Sequence, residues 1–247
     1  MLNIVVPMAG RGSRFAVAGY KKPKPMIDVK NKPMIQVVVE NLKPSEEHRF
    51  IFLCQKDHMQ EYNLSQFLKS LGSNYEVVPV DGVTEGAACT VMLAEKFINN
   101  SDELMIANSD QYVDFKIDEY LKDNRNGKYD GYIMTMKADD PKWSFIGFDS
   151  NGSINQVIEK KVISDEATVG IYNFKKGSDF VSYAKKMIEL NDRTNNEFYV
   201  APVYNYMVKD GKKLGYFNVG SEFDGMYGLG IPSDLEKFLA HPISQRI

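Results

Sequence analysis

Apolar positions in the first hundred residues alternate between two spacings. Residues 4–6 form an unbroken β-branched run, too short for a helix, and predict a buried strand. Met34, Ile35, Val37, Val38, Val39 and Leu42 then predict a helix apolar over most of its surface, with Pro33 in the first turn, where proline is accepted. Residues 49–54 predict a second strand. Met59, Leu64, Phe67, Leu68 and Leu71 keep helical spacing behind Asp57 as a cap, and Gly72 is the stop. Residues 75–80 predict a strand, 86–98 a helix and 104–107 another buried strand. Strands and helices in this alternation predict an α/β fold, a doubly wound and mostly parallel sheet.

From about Asp118 the pattern loosens. It predicts a short helix at 117–121, a strand at 129–136, and strands at 143–148 and 154–159 either side of an Asp149-Ser150-Asn151-Gly152 turn. A strand follows at 168–174. Phe180, Ala184, Met187 and Ile188 mark one face of a helix, and 201–208 is a further helix, its Tyr- and Met-rich segment 199–207 serving as core or as interface. Asp234 reads as a helix-start residue ahead of Leu235 and Phe238. Internal repeats, low-complexity tracts and linkers rich in Pro, Gly or Ser are absent from the sequence.

Composition narrows the class. At 247 residues the chain is long enough for a full core, and 43% hydrophobic with 26% charged residues is ordinary for a globular protein. A net charge of -3 argues against nucleic acid, which calls for a broad basic face. Cys54 and Cys89 sit in apolar surroundings without a C-x-x-C, so neither a zinc site nor a disulfide framework is expected. No apolar run approaches a membrane span, and no basic region and cleavage site precede the first strand, so a cytoplasmic protein is expected.

One stretch departs from that acidic balance. The first strand ends in Pro7-Met8-Ala9-Gly10-Arg11-Gly12-Ser13-Arg14-Phe15, and Arg11, Arg14, Lys21, Lys22, Lys24, Lys30 and Lys32 follow with Asp28 as the single acid among them. Glycines let backbone approach a ligand closely, and successive amide N–H groups in such a loop form an anion cradle. A polyphosphate is the simplest partner for that charge, against the alternative of a glycine turn before a solvated basic loop. Two nucleotide motifs are excluded: Phe15 stands where G-x-G-x-x-G needs its last glycine, and no G-K-[ST] follows.

In doubly wound sheets ligands bind beyond the carboxyl ends of the strands. The strand at 104–107 ends in Asn108-Ser109-Asp110-Gln111, which places Asp110 on the same rim as the glycine loop. A carboxylate there suits Mg²⁺, which takes one or two carboxylates plus phosphate oxygens; a helix cap is the equal alternative. The third strand leads into Asp81-Gly82-Val83-Thr84-Glu85-Gly86-Ala87-Ala88. Glu85 can accept from an exocyclic amino group of cytosine or guanine, or serve as a first-turn helix acid.

Ala9-Gly10-Arg11-Gly12-Ser13-Arg14-Phe15 followed by Pro23-Lys24-Pro25-Met26-Ile27 resembles the signature loop of the sugar-nucleotide pyrophosphorylases, a group of nucleotidylyltransferases. The resemblance covers nearly the whole chain and is strongest over 4–42 and 104–111. It implies a Rossmann-like nucleotidyltransferase domain over 1–247, with a nucleotide-binding half to about 116 and an acceptor-binding, β-rich half over about 117–247. It implies Arg14, Lys24 and Asp110 as catalytic residues, Arg14 with the Gly10–Gly12 amides on the β- and γ-phosphates, Lys24 on the α-phosphate and Asp110 holding Mg²⁺, with Met8, Ala9, Gly10, Arg11, Gly12, Ser13, Glu85, Gly86 and Ala87 around the nucleotide. Glu159, Lys160, Gly170 and Glu197 are implied at the acceptor. Relatives are often dimers or tetramers.

Residues 226–235 resemble the family's W-x-D-x-G-[TI]-P-x-D-L, but the usual second metal aspartate falls on Gly228. Asp224 and Glu222 lie upstream as substitutes, or Asp110 and the phosphates hold one Mg²⁺ alone. Pro7-Met8 also departs from the commoner Leu-Ala. The Pro7-Met8-Ala9-Gly10 opening, the Asn108-Ser109-Asp110-Gln111 strand end and the altered tail resemble a branch associated with capsular polysaccharide synthesis, which includes cytidylyltransferases acting on non-sugar phosphates such as L-glutamine phosphate. The expected reaction is transfer of an NMP from an NTP, CTP favoured, to a phosphorylated small molecule with release of pyrophosphate. A glycosyltransferase of similar architecture is disfavoured because Ser109-Asp110-Gln111-Tyr112 contains no D-x-D. A nucleotide-binding regulator without turnover is the other alternative.

Overall fold

The computed structural model describes residues 1–72 and 74–247. Its strands are Leu2–Pro7 (β1), Asp28–Val29 (β2), Lys32–Pro33 (β3), His48–Gln55 (β4), Tyr75–Val80 (β5), Glu103–Ala107 (β6), Gln111–Val113 (β7), Gly131–Lys137 (β8), Ser144–Phe148 (β9), Ile154–Glu159 (β10), Glu166–Phe174 (β11), Leu214–Glu222 (β12) and Gly225–Gly228 (β13). β2 and β3 form a small hairpin, and the others share one sheet in the order β5-β4-β1-β6-β11-β8-β12-β13-β7, with β9 and β10 branching from β11.

β5, β4, β1 and β6 are mutually parallel, as the alternation predicted, and β11 then joins β6 antiparallel. Side chains alternate across this sheet. Val5, Ile51 and Ile106 enter a core on one face with Ala88, Val91, Phe180 and Ala184. Ile4, Val6, Phe52 and Met105 enter a core on the other with Ile35, Val38 and Leu42. Both faces are covered, which is why these strands read as continuous apolar runs. A third core joins Phe15, Ile27 and Met34 to Tyr227, Leu229, Leu235 and Phe238, clamping the glycine-loop segment to the C-terminal helix.

Several elements differ from expectation. The helix expected behind Asp57 is two, Lys56–Glu61 and Leu64–Ser70, broken at Asn63 with φ 47°. The helix expected over 86–98 is Ala87–Met92 and Glu95–Ile98. There the Thr90 hydroxyl donates back to the Gly86 carbonyl at 3.2 Å, a bond that bends helices. Pro33 precedes the helix Met34–Leu42 in extended conformation rather than opening its first turn. The helix at 117 runs on to Gly127. β7, β12 and β13 were not announced by hydrophobic periodicity. Segment 199–207 is core, with Val203, Tyr204, Tyr206 and Met207 buried. Cys54 is buried, its thiol pushed up to about 12 by desolvation, whereas Cys89 is only partly buried.

The strand order fixes where a ligand belongs. From β1 the chain winds outward through β4 and β5, then returns to place β6 on the other side of β1. The reversal opens a crevice between the carboxyl ends of β1 and β6, the position where open α/β sheets bind ligands.

Candidate nucleotide and acceptor site

Beyond β1, Met8 and Ala9 are buried while Gly10 and Arg11 are exposed. These four, with Thr84, Gly86 and Ala87 from beyond β5 and Asn108 and Ser109 from beyond β6, line a cavity of about 320 Å³. Sequence reasoning missed Gln55 and Thr84. Gln55, the last residue of β4, donates through Nε2 to the carbonyls of Ala9 at 2.6 Å and Gly82 at 3.4 Å, tying two walls of the crevice together. The Thr84 hydroxyl donates to the Gly86 carbonyl at 3.0 Å. The strand-end rule would have found Gln55 had it been applied to β4 as it was to β1 and β6.

Gly12 and Ser13 lie outside that cavity wall. A β-carbon on Gly12 would meet the Lys24 β-carbon at 3.2 Å, so the glycine loop backs directly onto the lysine. Lys24 opens a 3₁₀ turn, Lys24–Met26, held by the Met26 amide donating to the Pro23 carbonyl at 2.8 Å. Its Nζ reaches Asp110 Oδ2 at 2.7 Å. Asp110 is fixed in turn: its carbonyl accepts from the Leu229 amide at 2.8 Å, and a β-carbon on Gly230 would stand 2.5 Å from its Oδ2. The sheet thus joins two residues 86 positions apart in sequence at the crevice mouth.

Among the described residues no group of three or more His, Cys, Asp and Glu is placed to hold a metal ion. Mg²⁺ does not need one, since one or two carboxylates and phosphate oxygens suffice. Asp110 fits that donor set. Asp224 does not: it is exposed in the turn from β12 to β13, where its carbonyl accepts from the Ser221 amide at 2.7 Å. Glu222, paired with Lys142 Nζ at 2.8 Å, does not line the cavity that Asp110 borders.

The second large cavity, about 490 Å³, brings together all four residues expected at the acceptor, Glu159, Lys160, Gly170 and Glu197. Arg14 lines this cavity and not the one beyond β1. Lys160, with φ 55°, turns its Nζ to the Tyr199 hydroxyl at 2.7 Å. Gly170 interrupts β11 with φ +83°, and a β-carbon there would collide with the Asn108 amide and stand 2.9 Å from Gln111 Oε1. Glycine is needed at this point to let those two amides lie against the strand.

Ala87, Asn108 and Glu197 belong to both cavities. The join is built at Gly86, where the Ala88 amide donates to the Phe198 carbonyl at 2.9 Å and the Phe198 amide to the Glu85 carbonyl at 2.8 Å. Glu85 itself, expected at the base, is exposed and its carboxylate is paired with Arg193, whose guanidinium lies 4.2 Å over the Phe198 ring.

Burial raises the Glu159 carboxyl above its ordinary value, the Ser144 hydroxyl that donates to it and Lys160 lower it, and Glu197 raises it further. A raised carboxyl binds its proton more tightly in the folded chain than in the unfolded one. Stability therefore falls as pH rises from the unfolded value through the folded one, and the full penalty of the buried charge is felt above. Glu159→Gln keeps an acceptor for Ser144 and removes the charge. It is expected to raise the melting temperature at pH 7, with the advantage disappearing below about pH 4.5, the ordinary carboxyl range; thermal scans across pH check this.

Fold and crevice together define an α/β protein with two adjoining cavities at one rim of its sheet. A family model, Nucleotidyl transferase, matches residues 4–222, and the chain belongs to that family. It is 26% identical over 183 residues to mannose-1-phosphate guanylyltransferase catalytic subunit beta of Xenopus tropicalis, an alignment covering 70% of this chain and 49% of that protein. It is 22% identical over 232 residues to the bifunctional protein GlmU of Methanocaldococcus jannaschii, covering 90% of this chain and 52% of that protein. The chain thus spans about half the length of these curated relatives. The crystal structure of a nucleoside-diphosphate-sugar pyrophosphorylase from Vibrio cholerae superposes with a TM-score of 0.81 at 24% identity, over 96% of this chain and 100% of that one, and shows the same fold. Among the described residues no helix is long and apolar enough to cross a membrane.

Proposed function

We propose that this chain transfers a nucleoside monophosphate from an NTP to a phosphorylated small molecule and releases pyrophosphate. The observation that carries this reading is the pair of adjoining cavities sharing the walls Ala87, Asn108 and Glu197, with Lys24 at the edge of the first and Arg14 lining the second. An acceptor phosphate oxygen attacks the α-phosphorus in line, and the bond to the bridging oxygen breaks, its electron pair leaving with pyrophosphate. No proton has to be removed from an acceptor that is already ionised. The protein's part is to hold two repelling anions together and to meet the charge that develops between them. Lys24, on the wall of the first cavity, takes the α-phosphate, the 8–11 loop the β- and γ-phosphates, and Arg14 and Lys160, on the wall of the second, the acceptor's phosphate. Asp110 would hold Mg²⁺, which supplies charge neutralisation on the phosphate oxygens when bound.

Mannose 1-phosphate, named for the Xenopus relative, supports sugar 1-phosphates as one acceptor class. The finer reading is CTP as donor and a non-sugar phosphate such as L-glutamine phosphate as acceptor, serving capsular polysaccharide precursors. The sequence likeness to that branch supports it, as do the two carboxylates of Glu159 and Glu197, which suit an acceptor carrying an ammonium group. Pyrophosphate release measured for the four NTPs against phosphorylated sugars and phosphorylated amino-acid derivatives tests both levels. UTP or dTTP preferred over CTP would reject the finer reading, and no release with any pair would reject the broader one. Because Glu85 is spent on Arg193, Glu85→Gln is expected to leave the order of NTP preference unchanged in the same screen.

A further inference from the structure

Transfer of a nucleoside monophosphate puts one phosphorus atom in a defined place. It is bonded to the departing pyrophosphate at the start and to the acceptor at the end, so it has to sit where the two cavities meet. Three residues border both, Ala87, Asn108 and Glu197. A third cavity, of about 230 Å³, takes in Asp110, and among the described residues Asn108 alone borders all three. Ala87 has no polar side chain, and a carboxylate at Glu197 accepts hydrogen bonds and repels phosphate. Asn108 brings two N–H donors without a charge. The cations stand to either side: Lys24 lines the first cavity and not the second, Arg14 and Lys160 the second and not the first. At the seam itself the Asn108 carboxamide is the side chain able to donate to a phosphate oxygen.

A second observation is the way that carboxamide is held. Asn108 follows β6 directly, and its main-chain amide donates to the Gly170 carbonyl at 2.9 Å. Its side chain lies so close over Gly170 that a β-carbon there would collide with Nδ2. Gly170 lines the larger cavity, so the carboxamide rests along that wall. Asn108 is exposed, while Ala107 and Ser109 on either side of it are buried. An open polar side chain fixed through both its main chain and its contact with the neighbouring strand is a preorganised donor, the kind that stabilises developing charge.

Resting on the nucleotidyl-transfer reading above, we infer that Asn108 is a catalytic residue whose Nδ2 donates to a non-bridging oxygen of the α-phosphate during transfer. As the bond from the acceptor oxygen forms and the bond to pyrophosphate breaks, the phosphorus passes from one cavity toward the other while its non-bridging oxygens stay at the seam. Asn108 moves no proton and forms no covalent bond. Its part is to meet charge on the group in transit, with Lys24 reaching the same phosphate from the nucleotide's side.

Steady-state kinetics with the NTP and acceptor that release most pyrophosphate in the screen above test this. Asn108→Leu, close in shape but without donors, is expected to lower kcat by about 10²- to 10³-fold. Both KM values should stay nearly unchanged, because the lost contact belongs to the transition state. The melting temperature should stay near that of the wild type, since the side chain is exposed. Asn108→Asp, which keeps the size and replaces the donor by a carboxylate, is expected to be at least as slow. Sulfur in place of one non-bridging α-oxygen weakens a hydrogen bond to that position alone. The ratio of rates for the two α-thio diastereomers of the NTP is therefore expected to differ between wild type and Asn108→Leu, whereas a general disturbance of the site leaves it unchanged. Wild-type kcat in Asn108→Leu, a loss carried by KM alone, or an unchanged diastereomer ratio each overturns the inference, and a loss of turnover in Lys24→Ala then leaves the proposed reaction standing. No release by the wild-type chain with any pair rejects the reaction and the inference together.

Discussion

Lys24→Ala is expected to lower pyrophosphate release by about 10²- to 10³-fold, the usual loss when one preorganised donor to developing charge is removed. The lysine is held before any substrate arrives. Its backbone is fixed by the 3₁₀ turn, its β-carbon rests against Gly12, and its Nζ is drawn to Asp110 at 2.7 Å. The pair is part-exposed, 20% and 24% for the two side chains, so its rupture changes stability by about 1 kcal/mol or less. Rate and melting temperature should therefore separate: a large fall in turnover at an almost unchanged unfolding midpoint. Lys24→Arg is not expected to rescue, since a planar fork does not replace a point charge in a site shaped for one. Full activity in Lys24→Ala would take the residue out of the reaction.

The parts of this site legible in the sequence were those attached to strand ends. Residues 4–6 and 104–107 announced buried strands by their apolar runs, so whatever followed them had to lie on one rim; Gly10, Arg11 and Asp110 were located by that rule. The rule says nothing about partners. That Lys24 reaches Asp110, or that Arg14 lines the larger cavity instead of the one beyond β1, depends on a turn whose course is set by tertiary packing. β12 was invisible for a different reason. Its sequence, Leu214 to Glu222, carries two glycines and an asparagine, and most of its residues are only partly buried, so no period of two stands out. Glu85 shows the limit from the other side. A carboxylate beside a segment expected at the base is chemically suited to read an amino group, but an arginine 108 positions away claims it.

The same long-range logic makes Gly86→Ala the most destabilising single change expected at the site. Gly86 has φ +134° and ψ 172°, a region essentially reserved for glycine, and holding another residue there costs roughly 1–3 kcal/mol. The added carbon would also stand 2.5 Å from the Phe198 amide nitrogen, and backbone cannot swing aside as a flexible side chain does. Relief requires segment 197–199 to move away, which breaks the Ala88 and Phe198 amide bonds, each contributing about 0.5–1.5 kcal/mol. Together these predict a loss of about 2–6 kcal/mol, and at ~2–4 °C per kcal/mol for a chain of this size the melting temperature should fall by at least about 4 °C. The functional consequence is distinctive, because Glu197 borders both cavities and moves with Phe198. In whatever fraction remains folded, the KM values for nucleotide and acceptor should rise together. A variant whose KM rises for the nucleotide alone would show that the two cavities are not coupled through this junction.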